Sequence, residues 1–528
     1  MSHVLPPTLA TAGDPARQRA LLIILCSGVL MVSYVETMII PGLGAFESFF
    51  GQPLALVSWI LTAYLLVGTA FVPIAGKLGD IFGKKRVLVL VLVVYFVAVT
   101  LAGFAPNVGD ALGMSRPNEL YLLIGVRAVQ GVGMGLFPLA FAMIGEEFPK
   151  QRIPFAQGIV SAMFSVGASI GLIGGAWVTQ TFSWQTTYHT LIPIALAVLV
   201  LSILLLRESK VRLDSPMDLA GALLLAFALV FFLTGLTEGP TWGWTSAAAY
   251  RLGDVPFGMP VMLAISALLL GGFVAWERRT SHPIVDFHRL AERNILVANV
   301  AGLFAGIAMF LMYVGVVARV EYPSFLGGFG LTVLDVGLYS LPCTIVAMIA
   351  APFIAGSIRR YGPKPALLAG SALFGVGGLL LVFFDTTVLE LVICIIPIVT
   401  GVIAIYIAMT NAVVVSANPE ESGIQQGMNQ TFRNLGNSVG PIIASTILAS
   451  LVTSYTFVKH GYAVVATGPS VQAYQAIFGL VALMGLLSLT VSLTFRNFRY
   501  EEDGRRSDLR TRRARPTAEP MSGTVGGV

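Results

Sequence analysis

Gly76-Lys-Leu-Gly-Asp-Ile-Phe-Gly-Lys-Lys-Arg86, GKLGDIFGKKR, is a charged knot tied into apolar sequence: SWILTAYLLVGTAFVPIAG precedes it from Ser58, and another apolar run follows from Arg86. Gly76 and Gly83 permit close backbone packing and a tight turn, and Lys84, Lys85 and Arg86 mark an inner membrane boundary. Asp80 stands at the inner end of the preceding helix, an expensive place for a carboxylate unless a cation pairs with it or it caps a helix N-terminus. A plain positive-inside loop explains the cations but neither the glycine spacing nor Asp80.

The rest of the chain has the same texture. Of 528 residues 56% are hydrophobic and only 11% charged, against about 25% charged in soluble domains. The mean hydropathy is +0.83. A water-soluble surface cannot be built from this composition, whereas bilayer-facing helices require none. A hydrocarbon core of about 30 Å takes roughly 20 apolar residues per helix. Runs of that kind begin near Ala20, Leu54, Arg86, Leu120, Pro154, Thr187, Leu219, Met259, Ile295, Val333, Pro365, Val388, Ser422 and Tyr474. They are numbered spans 1 to 14 in chain order. The predicted fold class is an all-α polytopic membrane protein: two six-helix bundles plus two inserted central helices.

An even number of spans puts both termini on one side. With the N-tail inside, the cations Lys77, Lys84, Lys85, Arg86, Lys150, Arg152, Arg207, Lys210, Arg212, Arg278, Arg279, Arg289, Arg293, Arg359, Arg360 and Lys364 all fall inside, with the Arg-rich tail from Arg496 to Arg515. Only Arg116, Arg251, Arg319 and Lys459 fall outside, so the positive-inside rule predicts cytoplasmic termini. The expected organisation is an N-tail over 1–19, a six-helix bundle over 20–206, a linker with two extra spans over 207–294, a second bundle over 295–495 and a basic tail over 496–528. Short tails fit a prokaryotic cell membrane. The tail reads as a disordered end or as a contact to anionic membrane lipids. The net charge of +5 lies in short interhelical clusters, which argues against nucleic acid. Cys26, Cys343 and Cys394 lie in apolar runs and imply no disulfide framework.

The two bundles repeat one another. Gln157-Gly158, Phe164, Gly167 and Gly171-Leu172 in span 5 match Gln426-Gly427, Arg433, Gly436 and Gly440-Pro441 in span 13 at one constant offset. AGSIRRYGPK from Ala355 comes after span 10 as GKLGDIFGKKR comes after span 2. Internal repeats of this kind build transporters.

Polar residues inside spans mark candidate sites. Span 4, YLLIGVRAVQGVGMGLFPLA, carries Arg127 and Gln130, and span 1 carries Tyr34 and Glu36. Glu36 is the one carboxylate read as lying well inside a span, so an ion pair with Arg127 is expected, either as a coupling site or as a static bridge. Asn429, Gln430 and Arg433 enter the bilayer on span 13, as cavity lining or as interhelical bonds, and Arg433 has no acid of its own half to pair with. Gly167, Gly171 and Gly175 on span 5, and Gly436, Gly440 and Pro441 on span 13, form small-residue stripes that let helices touch backbones and pivot. His189 reads as an interfacial side chain, and Asn411 as interfacial too. No phosphate-binding GxxxxGK[ST], no metal spacing and no catalytic set is present in the sequence, so no enzyme activity and no cofactor are expected.

Together these motifs resemble the major facilitator superfamily, over about Ala20 to Phe495, and within it the fourteen-helix drug:proton antiporter branch. The resemblance implies that Asp80 locks the outward-open state by contacting span 13, and that Arg127, in RxxQGxG, works beside the span 1 acid Glu36 in proton coupling. GASIGLIGGAW from Gly167 resembles the antiporter motif gxxxGPxxGG, with Leu172 for the Pro and Ala176 for the last Gly. YVETMIIPGL from Tyr34 departs from LDxTIVNVALP, with Glu36 for Asp and Gly44 after Leu43 where Pro is usual. The function implied by the resemblance is a proton-driven exporter of lipophilic small molecules, a monomer dependent on the proton gradient and no cofactor. An exporter of an endogenous lipid or metabolite, an uptake carrier and a non-transporting membrane protein remain as alternatives.

Overall fold

A computed structural model describes residues 15–52, 54–150, 152–209, 212–242, 250–252, 255–281, 283–285, 287–416, 421–459, 462–500 and 506–508. The expected N-tail before residue 15, and the basic tail apart from residues 496–500 and 506–508, lie outside these residues. The structure is nearly all helical. Spans 1 to 3 are Pro15–Thr37, Trp59–Phe82 and Lys84–Gly103. Span 4 runs Arg116–Gln130, passes through a 3-10 stretch at Gly131–Gly135 and continues as Leu136–Glu147. Spans 5 and 6 are Ile153–Thr181 and Trp184–Leu205, and the inserted pair is Leu219–Trp242 and Met259–Glu277. Spans 9 to 14 are Arg293–Glu321, Val333–Tyr361, Pro363–Phe383, Val388–Ser416, Ser422–Ser450 and Val471–Leu493.

Thirteen of these are long and apolar enough to cross a membrane. The exception is span 13, whose Gln426, Asn429, Gln430, Arg433 and Asn434 are all buried. Its polarity is tolerated because that face meets other helices rather than hydrocarbon. The apolar side chains Leu204, Leu268, Phe353 and Phe383 are 67–76% exposed, as helices facing acyl chains require.

Buried apolar residues sort into one core per repeat. Leu21 to Leu206 form the first, and Val297 to Phe498, joined by Ala162, form the second. A third, small cluster joins the inserted pair (Ala222, Leu225, Leu229, Phe273) to Ala70 of span 2 and Ile424 of span 13. The insert therefore lies against the seam between the halves. Gln18 donates to the Glu147 carbonyl at 2.9 Å, and the Arg496 amide donates to Asn294 at 3.0 Å. The start of span 1, the ends of spans 4 and 14 and the start of span 9 thus share one end of the bundle, the termini end.

Short antiparallel hairpins, not anticipated from the sequence, interrupt the helical pattern. One pairs Val452–Lys459 with Tyr462–Pro469 between spans 13 and 14, on β-branched and aromatic residues that suit a pleated ribbon. Smaller ones pair Tyr250–Leu252 with Val255–Phe257 and Phe498–Tyr500 with Arg506–Asp508. At the far end Arg319 Nε lies 3.2 Å from Asp385, both nearly buried, and its guanidinium sits 5.1–5.2 Å from the Phe329 and Tyr474 rings. Burial pushes the Asp385 carboxyl above its ordinary range, against the pull of Arg319.

Candidate functional site

Span 2 ends in the charged knot, and its fold is dictated by the glycines. Gly83 has φ +104°, and a Cβ there would fall 2.4 Å from the Glu208 carboxylate. That carboxylate accepts from the amides of Lys85 and Arg86, both at 3.1 Å, so it caps the N-terminus of span 3 from the end of the first bundle. Arg86 Nε also stands 3.7 Å from Glu208, and Lys85 Nζ donates to the Ile203 carbonyl at 2.8 Å. Gly76 serves a different contact. A Cβ on it would lie 2.2 Å from the Gly423 carbonyl, so spans 2 and 13 touch backbone to backbone. Gly427 meets Pro73 one turn further in, where a Cβ would lie 2.9 Å from the proline Cα.

Asp80 is fully buried in that contact. Its two oxygens accept from the Gly423 and Ile424 amides at 2.9 and 2.8 Å, at the first turn of span 13. Lys84 lies 3.1 Å from Asp80 and 2.5 Å from Glu146 of span 4. The carboxylate therefore ties one half to the orphan N–H groups of the other, with a cation shared behind it. The halves are latched together at the termini end.

The glycine stripes lie where equivalent helices cross. Cβ atoms at Gly167, Gly171 and Gly175 would fall 2.5, 2.4 and 2.3 Å from the carbonyls of Leu30, Tyr34 and Met38 on span 1. Those at Gly436 and Gly440 would fall 2.3 and 2.7 Å from the carbonyls of Leu303 and Ile307 on span 9. Spans 5 and 13 thus pack on spans 1 and 9 in the same register, each within its own half. Pro441 lies just beyond, inside span 13. Between the halves, Ser169 and Thr344 share a hydrogen bond of 2.7 Å across spans 5 and 10.

The polar candidates gather on the inner faces. Glu36 sits in the last turn of span 1, 9% exposed, while half-buried Tyr34, two residues back, points to another side of that helix with its ring against Gly174 of span 5. The expected ion pair with Arg127 is not formed: none within 4.0 Å involves Glu36 among the described residues. Arg127 is committed elsewhere, donating Nε to the Ile60 carbonyl at 3.0 Å and Nη1 to Gln130 at 2.6 Å, 4.3 Å over the Tyr64 ring. Arg433 of the other half and Arg127 of its own half are both near enough to act on Glu36 by charge, without forming an ion pair with it. Arg433 stands 4.9 Å from the Tyr406 ring, 5.0 Å from Phe164 and 5.7 Å from Phe137, with Nε and Nη2 lacking hydrogen-bond partners. Aromatic faces offer a desolvated guanidinium about 2 kcal/mol, which leaves it able to take a carboxylate.

Asn429 proves structural in its contact, donating to Asn299 of span 9 at 2.8 Å, while Gln430 bonds Asn434 one turn on at 3.0 Å. Sequence reading missed the reach of Arg433 across the seam, because partners were sought in its own half. The signal was present: Phe164 and Arg433 are equivalent positions of the repeat, and they touch. Equivalent residues in contact must lie near the axis relating the halves.

Two repeated membrane bundles, charged side chains facing the seam and a latch closing one end are the architecture of a membrane carrier. The chain belongs to the Major Facilitator Superfamily, whose family model matches residues 25–441 and again 322–522. It is 27% identical to the multidrug transporter protein MdtP of Bacillus subtilis over 404 residues, 75% of this chain and 69% of that protein. It is also 27% identical over 445 residues to the lincomycin resistance protein of Streptomyces lincolnensis, covering 81% and 85% of the two chains. The tetracenomycin C resistance and export protein of Streptomyces glaucescens is 26% identical over 82% of this chain and 76% of its own. Among solved structures, the proton:xylose symporter XylE matches with a TM-score of 0.60 at 12% identity, over 91% of this chain and 96% of that one. The human organic anion transporter MFSD10 matches with 0.59 at 16%, over 91% and 100%. The chain is a multi-pass membrane transporter of this superfamily.

Proposed function

We propose that this transporter is a proton-coupled antiporter exporting amphiphilic small molecules, of the fourteen-helix drug:proton branch, with both termini in the cytoplasm. The reading is carried by Glu36, a buried acid acted on by one arginine from each half. Because Arg433 belongs to the second half and Arg127 to the first, rocking the halves changes the positive charge acting on Glu36. That change is what couples protonation to the direction the cavity faces. The names of the bacterial relatives, multidrug transport and antibiotic resistance, support a small lipophilic cargo. On this reading the Asp80 latch holds the cytoplasmic end shut. The test is Glu36→Gln in proteoliposomes loaded with a fluorescent cationic dye. Uphill dye movement driven by an imposed pH gradient is expected to stop while downhill exchange persists. Undiminished uphill export by the variant overturns the assignment.

A further inference from the structure

The inserted pair of spans packs against the seam, and the loop after it reaches the latch. The Pro283 carbonyl accepts from Lys77 Nζ of span 2 at 3.0 Å, and Arg289 lies 3.2 Å from Glu421 at the head of span 13. Glu277, closing span 8, accepts from the Ile284 and Val285 amides at 3.1 and 3.3 Å and so fixes this loop. One loop therefore grips both halves beside the Asp80 contact. Between loop, span 2 and span 13 lies a cavity of about 270 Å³. Its wall combines Lys77, Asn299 and Gln425 with Ile284, Leu290 and Met428.

Its polar groups are under-used. Lys77 is 4% exposed, and among the described residues the Pro283 carbonyl is the one hydrogen-bond acceptor for its three N–H groups. Asn299, 1% exposed, leaves its Nδ2 without a partner, and Gln425 leaves its Oε1 so. Unpartnered polar atoms at such depth are costly. Of the two acids in the wall, Glu421 is paired with Arg289 and Asp214 is exposed. The buried pole thus offers the Lys77 ammonium and the Asn299 amide as donors and the Gln425 carbonyl as an acceptor, with the carboxylates of Asp80, Glu277 and Glu421 around the ammonium, and the remainder is apolar. The volume falls just below the roughly 300–1,000 Å³ typical of drug-sized pockets.

We propose that this cavity binds a small amphiphile with a carboxylate or phosphate head, placing the head on Lys77 and Asn299 and the apolar body along Ile284, Leu290 and Met428. Because the wall draws on both halves and the insert, the ligand fits only while the latch is closed, and its binding holds the transporter there. The state selectivity rests on the alternating-access reading, whereas the binding does not. A membrane lipid headgroup and a soluble amphiphile share this chemistry.

Octyl phosphate is the probe, titrated by thermal shift and equilibrium binding against the full chain in detergent, with octyl glucoside as the tail-only control. Saturable binding of octyl phosphate alone is expected, weakened about 10–100-fold in Lys77→Gln. Leu290→Trp fills the cavity from the loop without removing a charge and is expected to abolish binding. Binding unchanged in both variants, or equal for the glucoside, overturns the site. Weakened binding in Asp80→Asn supports the closed-state preference, and undiminished binding there refutes that preference while leaving the site. In nanodiscs, competition from phosphatidylglycerol but not phosphatidylcholine identifies the occupant as lipid, and equal binding in both identifies a soluble amphiphile.

Discussion

Asp80→Asn is the sharpest perturbation of the latch. Asparagine keeps the shape, but its single oxygen can accept from only one of the Gly423 and Ile424 amides, and its NH2 then faces the other donor. The charge on the first turn of span 13 is also lost. Removing one partner of a buried ion pair costs about 3–5 kcal/mol, reduced here because Lys84 keeps Glu146 at 2.5 Å. About 2–3 kcal/mol in favour of opening remains, or about 30–150-fold in the closed-to-open ratio. The measurement is a pulsed electron–electron distance between spin labels at Arg152 and Arg360, one exposed position per half, with Cys26, Cys343 and Cys394 replaced. The distribution should move to longer distances. Gly76→Ala should do the same by a different cause, since its Cβ would sit 2.2 Å from the Gly423 carbonyl. If Gly76→Ala opens the end while Asp80→Asn leaves the distribution unmoved, packing and not charge holds the latch, and the role given to the carboxylate is refuted.

Arg433→Gln should lower uphill transport at least tenfold while the melting temperature stays within a few degrees, because no ion pair is broken; an unfolded variant contradicts this. Gly171→Ala places a methyl 2.2 Å from Thr37 Oγ1 and 2.4 Å from the Tyr34 carbonyl, so thermal stability in detergent should fall by about 1–3 kcal/mol, where an exposed glycine such as Gly125 should tolerate alanine. Arg319→Ala strands Asp385 and should destabilise by about 3 kcal/mol or more, whereas Arg319→Met with Asp385→Leu should recover most of the loss; equal melting of single and double variants would contradict the pair's role.

The class, the repeat and the position of every span were legible in the sequence, because hydrocarbon imposes one rule over some 20 consecutive residues and needs no knowledge of neighbours. Span 13 was counted from Ser422 with the apolar runs, although it alone of the fourteen falls short of them in hydropathy, and its match to span 5 agrees with a spanning helix. The hairpin over Val452–Pro469 was not seen, since alternation over eight residues competes weakly beside long apolar runs. The glycines said that helices come close but not which. Only the tertiary structure showed that Gly76 meets span 13 while Gly171 meets span 1. It also decided the partners of the charges. Sequence supplied Glu36, Arg127 and Arg433 as a short list, and depth along the chain suggested the first two as a pair. The fold instead commits Arg127 to Ile60 and Gln130 and carries Arg433 across the seam onto Phe137 and Phe164 of the half that holds Glu36. Cost in the bilayer is a property of each residue alone, so sequence reveals it. Which cation relieves that cost depends on how the two halves face each other, and that is settled only when they pack.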